Sequence, residues 1–196
     1  MSTARTYFEL LELPERYTLD LAELEARYRQ RSRHWHPDRF SRAPAAERAQ
    51  VLARATDLNE AYRTLRSDAR RAQYLLKLHG VDVTREGPES QAAVDPAFLM
   101  AILELREELV EARLGHDAAR LAGLKADVHR RMGALQKTLA DGFARLEAGL
   151  PDAAARTAVL AELTQAVLAQ RYYQRFCDEL AEYEEAQAEK AQGPHL

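Results

Sequence analysis

Residues 21–40 read LAELEARYRQRSRHWHPDRF, and they contain the clearest helix of the chain together with the signal that ends it. Large apolar side chains recur there at spacings of three, four and seven residues, at Leu21, Leu24, Tyr28 and Trp35. Asp20 stands before this run and Glu23 lies three residues on, which predicts a capping box at the helix start. Pro37 lacks an amide donor and biases the preceding residue away from helical dihedrals, so we expect the helix to end there.

The helix is basic, because arginines occupy its other faces at Arg27, Arg29, Arg31 and Arg33. A second apolar stripe follows a short loop and comprises Val51, Ala55, Leu58, Tyr62 and Leu65. Because the loop is short, we expect the two helices to form an antiparallel hairpin. A shorter helix is predicted to begin after Ser67 or Asp68 and to end at Gly80.

Helical periodicity also dominates the second half, in three segments at about 96–114, 117–148 and 152–189. Asp95 and Pro96 form a good cap and first turn, and glycines 115 and 149 end the first two segments. The alternation typical of strands is nowhere sustained. We therefore predict an all-α protein, with an N-terminal helical hairpin and a C-terminal three-helix bundle.

Composition divides the chain into four parts. The N-terminal domain spans 1–80, a linker rich in Gly, Pro, Ser, Glu and Gln spans 81–95, the bundle spans 96–190, and a tail spans 191–196. Residues 1–80 carry 15 basic and 11 acidic groups, whereas residues 81–196 carry 13 and 20. The basic half and the acidic half are therefore expected to face different partners.

Several classes of protein are disfavoured by composition. No run approaches the roughly 18 apolar residues of a membrane span, and the charged start of the chain is unlike a signal peptide, so we expect a cytoplasmic protein with no membrane partner. The single cysteine, Cys177, cannot form a disulfide or a multi-cysteine metal site within one chain, and it lies on an apolar stripe. We expect it to pack in the core, with no cofactor and no metal bound.

The tripeptide His36-Pro37-Asp38 lies at the tip of the predicted hairpin, flanked by arginines. It could be a simple turn, in which the proline breaks the helix and the aspartate caps the loop. A metal site with His34 is disfavoured because no fourth ligand is near, and a hydrolase site with Ser41 lacks an oxyanion loop. Nucleic-acid binding by the arginines is disfavoured by the acidic chain and by the absence of stacking aromatics among them. Docking on an acidic protein groove fits best.

The first helix of the bundle carries apolar residues on two faces. Phe98, Ile102, Leu105 and Leu109 gather in one sector and are predicted to form the core, whereas Leu99, Met100, Leu103 and Glu107 lie roughly opposite. Large apolar groups on an outward face with an acidic rim are typical of a partner surface. The alternative is that the N-terminal domain packs on this face.

The chain resembles two known modules. The motifs YFELL at 7–11, LP at 13–14, HPDRF at 36–40 and LNEAY at 58–62 resemble a J-domain, the module by which DnaJ-like co-chaperones engage DnaK-type ATPases. The motifs RAQYLLKLHG at 71–80, FLM at 98–100 and LELREEL at 103–109 resemble HscB, the iron–sulfur-cluster co-chaperone. The glycine-rich linker and cysteine repeats of general DnaJ proteins are absent.

The resemblance implies an adaptor rather than an enzyme. An HscB-like J-domain stimulates ATP hydrolysis by an HscA-type chaperone, and the bundle binds the IscU-type scaffold on which clusters are assembled. The implied chaperone-binding residues are His36, Pro37, Asp38, Arg27, Arg31, Arg33 and Arg39, and for each arginine the alternative is a solvated face. The implied scaffold-binding residues are Leu99, Met100, Leu103, Glu104, Glu107 and Tyr172. A J-domain protein with a different client is the alternative function, and a monomer is favoured.

Two positions depart from the family pattern. Arg39 stands where a lysine is common, which keeps the charge but changes the hydrogen-bond geometry. Tyr172 stands where the family more often has phenylalanine, and its hydroxyl needs a partner or water at an interface.

Overall fold

The structure, a computed structural model, describes residues 5–83 and 94–192. Throughout these residues the regular secondary structure is helical, which confirms the predicted all-α class. The chain divides into two compact units between His79 and Gly80. Each unit has its own buried core.

The N-terminal unit contains four α-helices and one short 3-10 turn. These are α1 (Tyr7–Leu11), α2 (Leu21–His34), the 3-10 turn (Pro37–Phe40), α3 (Ala45–Arg66) and α4 (Asp68–Leu78). Helices α1, α2 and α4 all pack on α3. Their fully buried side chains include Phe8, Leu11, Leu24, Leu65 and Leu76. The predicted hairpin is therefore α2 and α3, with its tip at the 3-10 turn.

The helix caps explain where these elements begin. The Asp20 carboxylate accepts from the amides of Ala22 and Glu23, as expected for an N-cap, but the Glu23 carboxylate pairs with Arg27 rather than completing a capping box. The complete capping box lies at α1, where Thr6 and Glu9 satisfy each other's backbone amides. Ser67 caps α4 by accepting from the Arg70 amide.

The C-terminal unit contains three helices, α5 (Pro96–Leu114), α6 (Ala118–Glu147) and α7 (Ala153–Gln192), joined by short turns. Ile102, Leu105 and Leu109 of α5 are buried as predicted, in one cluster with α6 and α7. Phe98 is only partly buried and packs against that cluster, because it lies in the first turn of α5, near the end of the helix. Helix α6 is longer than α5 and pairs with α7 over its whole length.

The linker and the tail fall largely outside the described residues. Residues 84–93 and 193–196 are not described, whereas helix α7 continues to Gln192, two residues into the predicted tail. Val83, within the predicted linker, is buried, and its carbonyl oxygen accepts a hydrogen bond from Arg171 Nη1 at 3.0 Å. The start of the predicted linker is therefore packed on the C-terminal unit.

Candidate functional site

The first candidate surface is the tip of the α2–α3 hairpin. His36 caps the 3-10 turn, and its Nδ1 accepts from the Asp38 amide at 3.4 Å. The Asp38 side chain is 89% exposed and the His36 side chain 54% exposed, so both are open to a partner. The Asp38 carboxylate lies 3.5 Å from the same nitrogen, His36 Nδ1.

Aromatic and arginine side chains support this turn from behind. Trp35 stacks on Phe40 with ring centroids 6.4 Å apart, and the Arg54 guanidinium of α3 lies 4.2 Å from the Trp35 ring centroid. Arg39 donates to the Arg33 carbonyl oxygen at 3.2 Å. The turn is thus attached to both helices of the hairpin, and His36 and Asp38 project from a rigid support.

The arginines beside the turn have an acidic neighbour that sequence reasoning missed. Glu12, in the left-handed conformation that ends α1, pairs with Arg31 and lies 3.7 Å from Arg27. Arg27 also pairs with Glu23 at 3.4 Å. Arg33 and Arg39 are exposed. Glu12 could not be placed from sequence because the contact joins α1 to α2 across an irregular connection.

The second candidate surface lies on the solvent side of α5. Met100 is 59% exposed and Leu103 is 54% exposed, and Glu104 and Glu107 are also exposed. No helix of the bundle covers these side chains. Leu99, which the sequence placed opposite the core, is only partly exposed. At about 100° per residue it lies on the flank between the core face and the outer face, so it forms the edge of this surface and not its centre.

Tyr172 of α7 lies near the start of α5. Its ring packs edge-on against Phe98 with centroids 5.8 Å apart, and the residue is half-buried. The tyrosine therefore has a fixed ring position and an accessible portion, as an interface aromatic requires. On the same helix the Cys177 thiol lies 3.9 Å from the Met132 sulfur, and burial raises its pKa, so it is a packed and weakly reactive thiol.

Residues 5–83 and 94–192 contain no group of three or more His, Cys, Asp or Glu side chains placed to hold a metal ion. The His34 ring packs edge-on against Trp35, with centroids 4.8 Å apart. Over the same described residues, no helix is long and apolar enough to cross a membrane.

Comparison with known proteins assigns both units. Residues 6–74 match the DnaJ domain family, and residues 94–181 match the HSCB C-terminal oligomerisation domain family. The co-chaperone protein HscB homolog of Ralstonia nicotianae is 43% identical over 158 residues, which cover 81% of this chain and 86% of the relative. The chain belongs to the HscB co-chaperone family. An HscB homolog of Cupriavidus taiwanensis is 46% identical over 136 residues, 66% of this chain and 76% of the relative.

Two solved HscB structures are similar along nearly the whole chain. The Vibrio cholerae chaperone HscB superposes with a TM-score of 0.70 at 27% identity, covering 93% of this chain and 99% of its own. The human co-chaperone HscB superposes with a TM-score of 0.75 at 26% identity, covering 94% and 84%. The protein is therefore an HscB-family co-chaperone with a J-domain, and the hairpin tip lies in the J-domain while the α5 surface lies in the HscB C-terminal domain.

Proposed function

We propose that this protein stimulates the ATPase of an HscA-type chaperone through its J-domain and delivers an IscU-type scaffold to that chaperone during iron–sulfur cluster assembly or transfer. The protein itself acts as an adaptor and catalyses no reaction. The observation that carries the proposal is the occurrence, in one chain, of a His36-Pro37-Asp38 turn whose His36 and Asp38 side chains are exposed beside arginines, and of an exposed apolar and acidic face on α5.

The J-domain surface suits an acidic partner. His36 and Asp38 offer a directional hydrogen-bonding pair on a turn supported from both helices. Arg27, Arg31 and Arg33 extend the positive charge along α2. Complementary charge of this kind speeds association and orients the two proteins as they meet. Its effect on the final affinity is smaller. We therefore assign the arginines to docking, and His36, Pro37 and Asp38 to stimulation.

Stimulation of hydrolysis requires differential binding. A co-chaperone accelerates a partner's ATPase only if it binds the conformation closer to hydrolysis more tightly than the resting conformation. A rigid turn can discriminate between two shapes of an acidic groove, whereas a flexible arginine side chain adapts to both. The supported geometry of the Asp38 turn is therefore the part of the J-domain best suited to this discrimination.

The bundle surface suits a folded protein partner. Met100 and Leu103 supply apolar contact, Glu104 and Glu107 supply a charged rim, and Tyr172 with Leu99 lies at the edge. An apolar centre with a polar rim is the usual anatomy of a specific interface.

The proposal is tested by the steady-state ATPase rate of an HscA-type chaperone with this protein and an IscU-type scaffold, added singly and together. We expect stimulation that is greater than additive. Asp38→Asn should abolish stimulation and keep scaffold binding, whereas Leu103→Ala should keep stimulation by the co-chaperone alone and lose the synergy.

Asp141→Asn is the matched control, since it removes one exposed carboxylate from α6 and should leave both effects unchanged. Unchanged stimulation by the Asp38 variant would overturn the assignment of the turn. If the stimulated ATPase rate does not change when the scaffold is added, the bundle binds a different client.

A further inference from the structure

The apolar face of α5 does not end at Leu103. Val110 is 53% exposed and Leu114 is 79% exposed. At about 100° per residue, Met100, Leu103, Val110 and Leu114 fall within a sector about 80° wide, opposite the buried Ile102, Leu105 and Leu109. The exposed Glu107 lies in the same sector, between Leu103 and Val110. We call these four residues the α5 stripe. Leu103, Val110 and the neighbouring Arg106, Glu107 and Glu111 line one predominantly apolar groove.

The length of the stripe is informative. Met100 to Glu107 spans only about 10 Å along the axis at about 1.5 Å per residue, whereas Met100 to Leu114 spans about 21 Å. A stable interface of ordinary size buries about 800 Å² on each partner, a patch broader than two turns of one helix. Neither length of one helix face supplies that area alone, so a partner seated on Met100 and Leu103 must also cover adjoining surface, and the rest of the stripe is the adjoining apolar surface on α5.

The two edges of the stripe differ in charge. Glu104, Glu108 and Glu111 lie on the side that faces α6, where Glu111 pairs with Arg120 at 2.9 Å. Arg106 lies on the side that faces α7 and is neutralised by Glu179 at 2.5 Å. Among the described residues no ion pair involves Glu104 or Glu108, so this edge is acidic. A partner that covers the stripe needs apolar side chains bordered on that edge by basic ones.

We propose that the scaffold contacts the whole α5 stripe, so that Val110 and Leu114 are docking residues two and three turns beyond Leu103. The inference rests on the proposed function, because it takes the scaffold as the occupant of the stripe. The groove is continuous from Leu103 to Val110, and Leu114 lies one turn beyond it in the same sector and beside the same acidic edge, so we assign the stripe to one partner. The exposed aliphatic side chains of Val110 and Leu114 are then buried against the partner instead of facing water.

The experiment measures the dissociation constant of the full-length protein for purified IscU-type scaffold by titration calorimetry. The double variant Val110→Gln/Leu114→Gln removes both apolar contacts and retains good helix formers. We expect it to bind the scaffold about tenfold more weakly, since two interface aliphatic side chains are lost. Leu52→Gln is the control, because Leu52 is a comparably exposed leucine on α3.

Leu103→Ala is measured alongside to separate this inference from the proposed function. If the wild-type protein does not bind the scaffold, or Leu103→Ala binds as well as the wild type, the proposed function of the bundle is wrong. If Leu103→Ala weakens binding but the double variant stays within about twofold of the wild type and of Leu52→Gln, only the extension is wrong. Glu108→Gln should weaken binding at low salt alone, and equal weakening at all salt concentrations would overturn the acidic edge.

Discussion

At the scale of single residues, Glu12 bears on the proposed docking by the arginines of α2. Glu12 holds Arg31 and approaches Arg27, so part of the positive charge on α2 is neutralised within the chain. A chaperone with an acidic surface must compete with Glu12 for these guanidinium groups. The conformation of Glu12 at the end of α1 fixes this competition in the folded J-domain.

Glu12→Gln should therefore strengthen binding to the HscA-type chaperone by about two- to fivefold at low salt, the range of a few exposed charge interactions. The gain should vanish near 0.5 M salt, where the Debye length falls to about 4 Å. Equilibrium titration of chaperone with co-chaperone at two salt concentrations measures it. Glu25→Gln is the control, because Glu25 pairs with Arg29 only, at 2.5 Å. An equal gain in affinity for both variants would mean that the effect comes from the change in net charge and not from the position of Glu12.

We expect a second residue, Tyr17, to make the stability of the J-domain depend on alkaline pH. Tyr17 is buried, and burial, reinforced by nearby Asp68 and partly offset by Arg71, raises the pKa of its phenol to about 12. In the unfolded chain the Tyr17 phenol ionises near pH 10. Its contribution to the stability of the folded state is therefore fully present below pH 10 and is lost as the pH rises towards 12.

We expect the free energy of unfolding to fall between pH 10 and 12, with a contribution from Tyr17 of at most about 1.4 kcal/mol per pH unit. Tyr17→Phe should flatten this part of the profile, because the phenylalanine has no proton to lose. Urea unfolding at pH 8 and pH 11, followed by circular dichroism, provides the comparison. A variant whose stability falls as steeply as that of the wild type would show that the alkaline loss arises elsewhere.

At the scale of helices, the long α6–α7 pair depends on one small residue. A side-chain carbon added at Gly142 would lie 2.6 Å from Leu163 Cδ2 and 3.1 Å from its Cγ, and because Leu163 is fully buried its side chain could shift only against other packed groups. At Gly133, by contrast, an added carbon meets nothing within 4 Å. The two glycines of one helix therefore differ only in what faces them.

Gly142→Ala should destabilise the protein by about 1–3 kcal/mol, because overpacking exceeds the gain in helix propensity. Gly133→Ala should stabilise it by about 0.5–1 kcal/mol, because it gains propensity without a clash. Urea titrations of both variants at neutral pH measure the difference. If the two substitutions change the free energy of unfolding in the same direction, α6 and α7 do not approach as closely as described at Gly142.

The same helices show how far the sequence predicts this fold. Helix α5 matches the predicted 96–114, and α6 and α7 begin within a residue of the expected positions, because Asp95-Pro96, Gly115 and Gly149 are local signals. The 3-10 turn was expected only as a loop, since four residues carry no periodicity. Glu12 required a contact between two elements. Val110 and Leu114, however, share the periodic sector of Leu103 and could have been found by extending the same count by two and three turns.

At the scale of the whole molecule, the two halves differ in the physics of binding. Residues 1–80 carry a net charge of +4, and their proposed docking residues are arginines. The C-terminal unit offers the α5 stripe, whose four residues are exposed and apolar and whose proposed contact is therefore mainly apolar. Charge attraction between exposed groups is screened by salt, whereas apolar burial is not. One protein should therefore show two different salt dependences.

Raising salt from 0.05 to 0.5 M should weaken binding to the HscA-type chaperone by about tenfold and binding to the IscU-type scaffold by less than about threefold. The two dissociation constants are measured in separate titrations, each with one partner only. Glu12→Gln should steepen the first dependence, and Val110→Gln/Leu114→Gln should leave the slope of the second unchanged while shifting it to weaker binding. If the two dissociation constants have the same salt dependence, the chaperone is not bound mainly by charge and the scaffold mainly by apolar contact, because salt screens only the first kind of interaction.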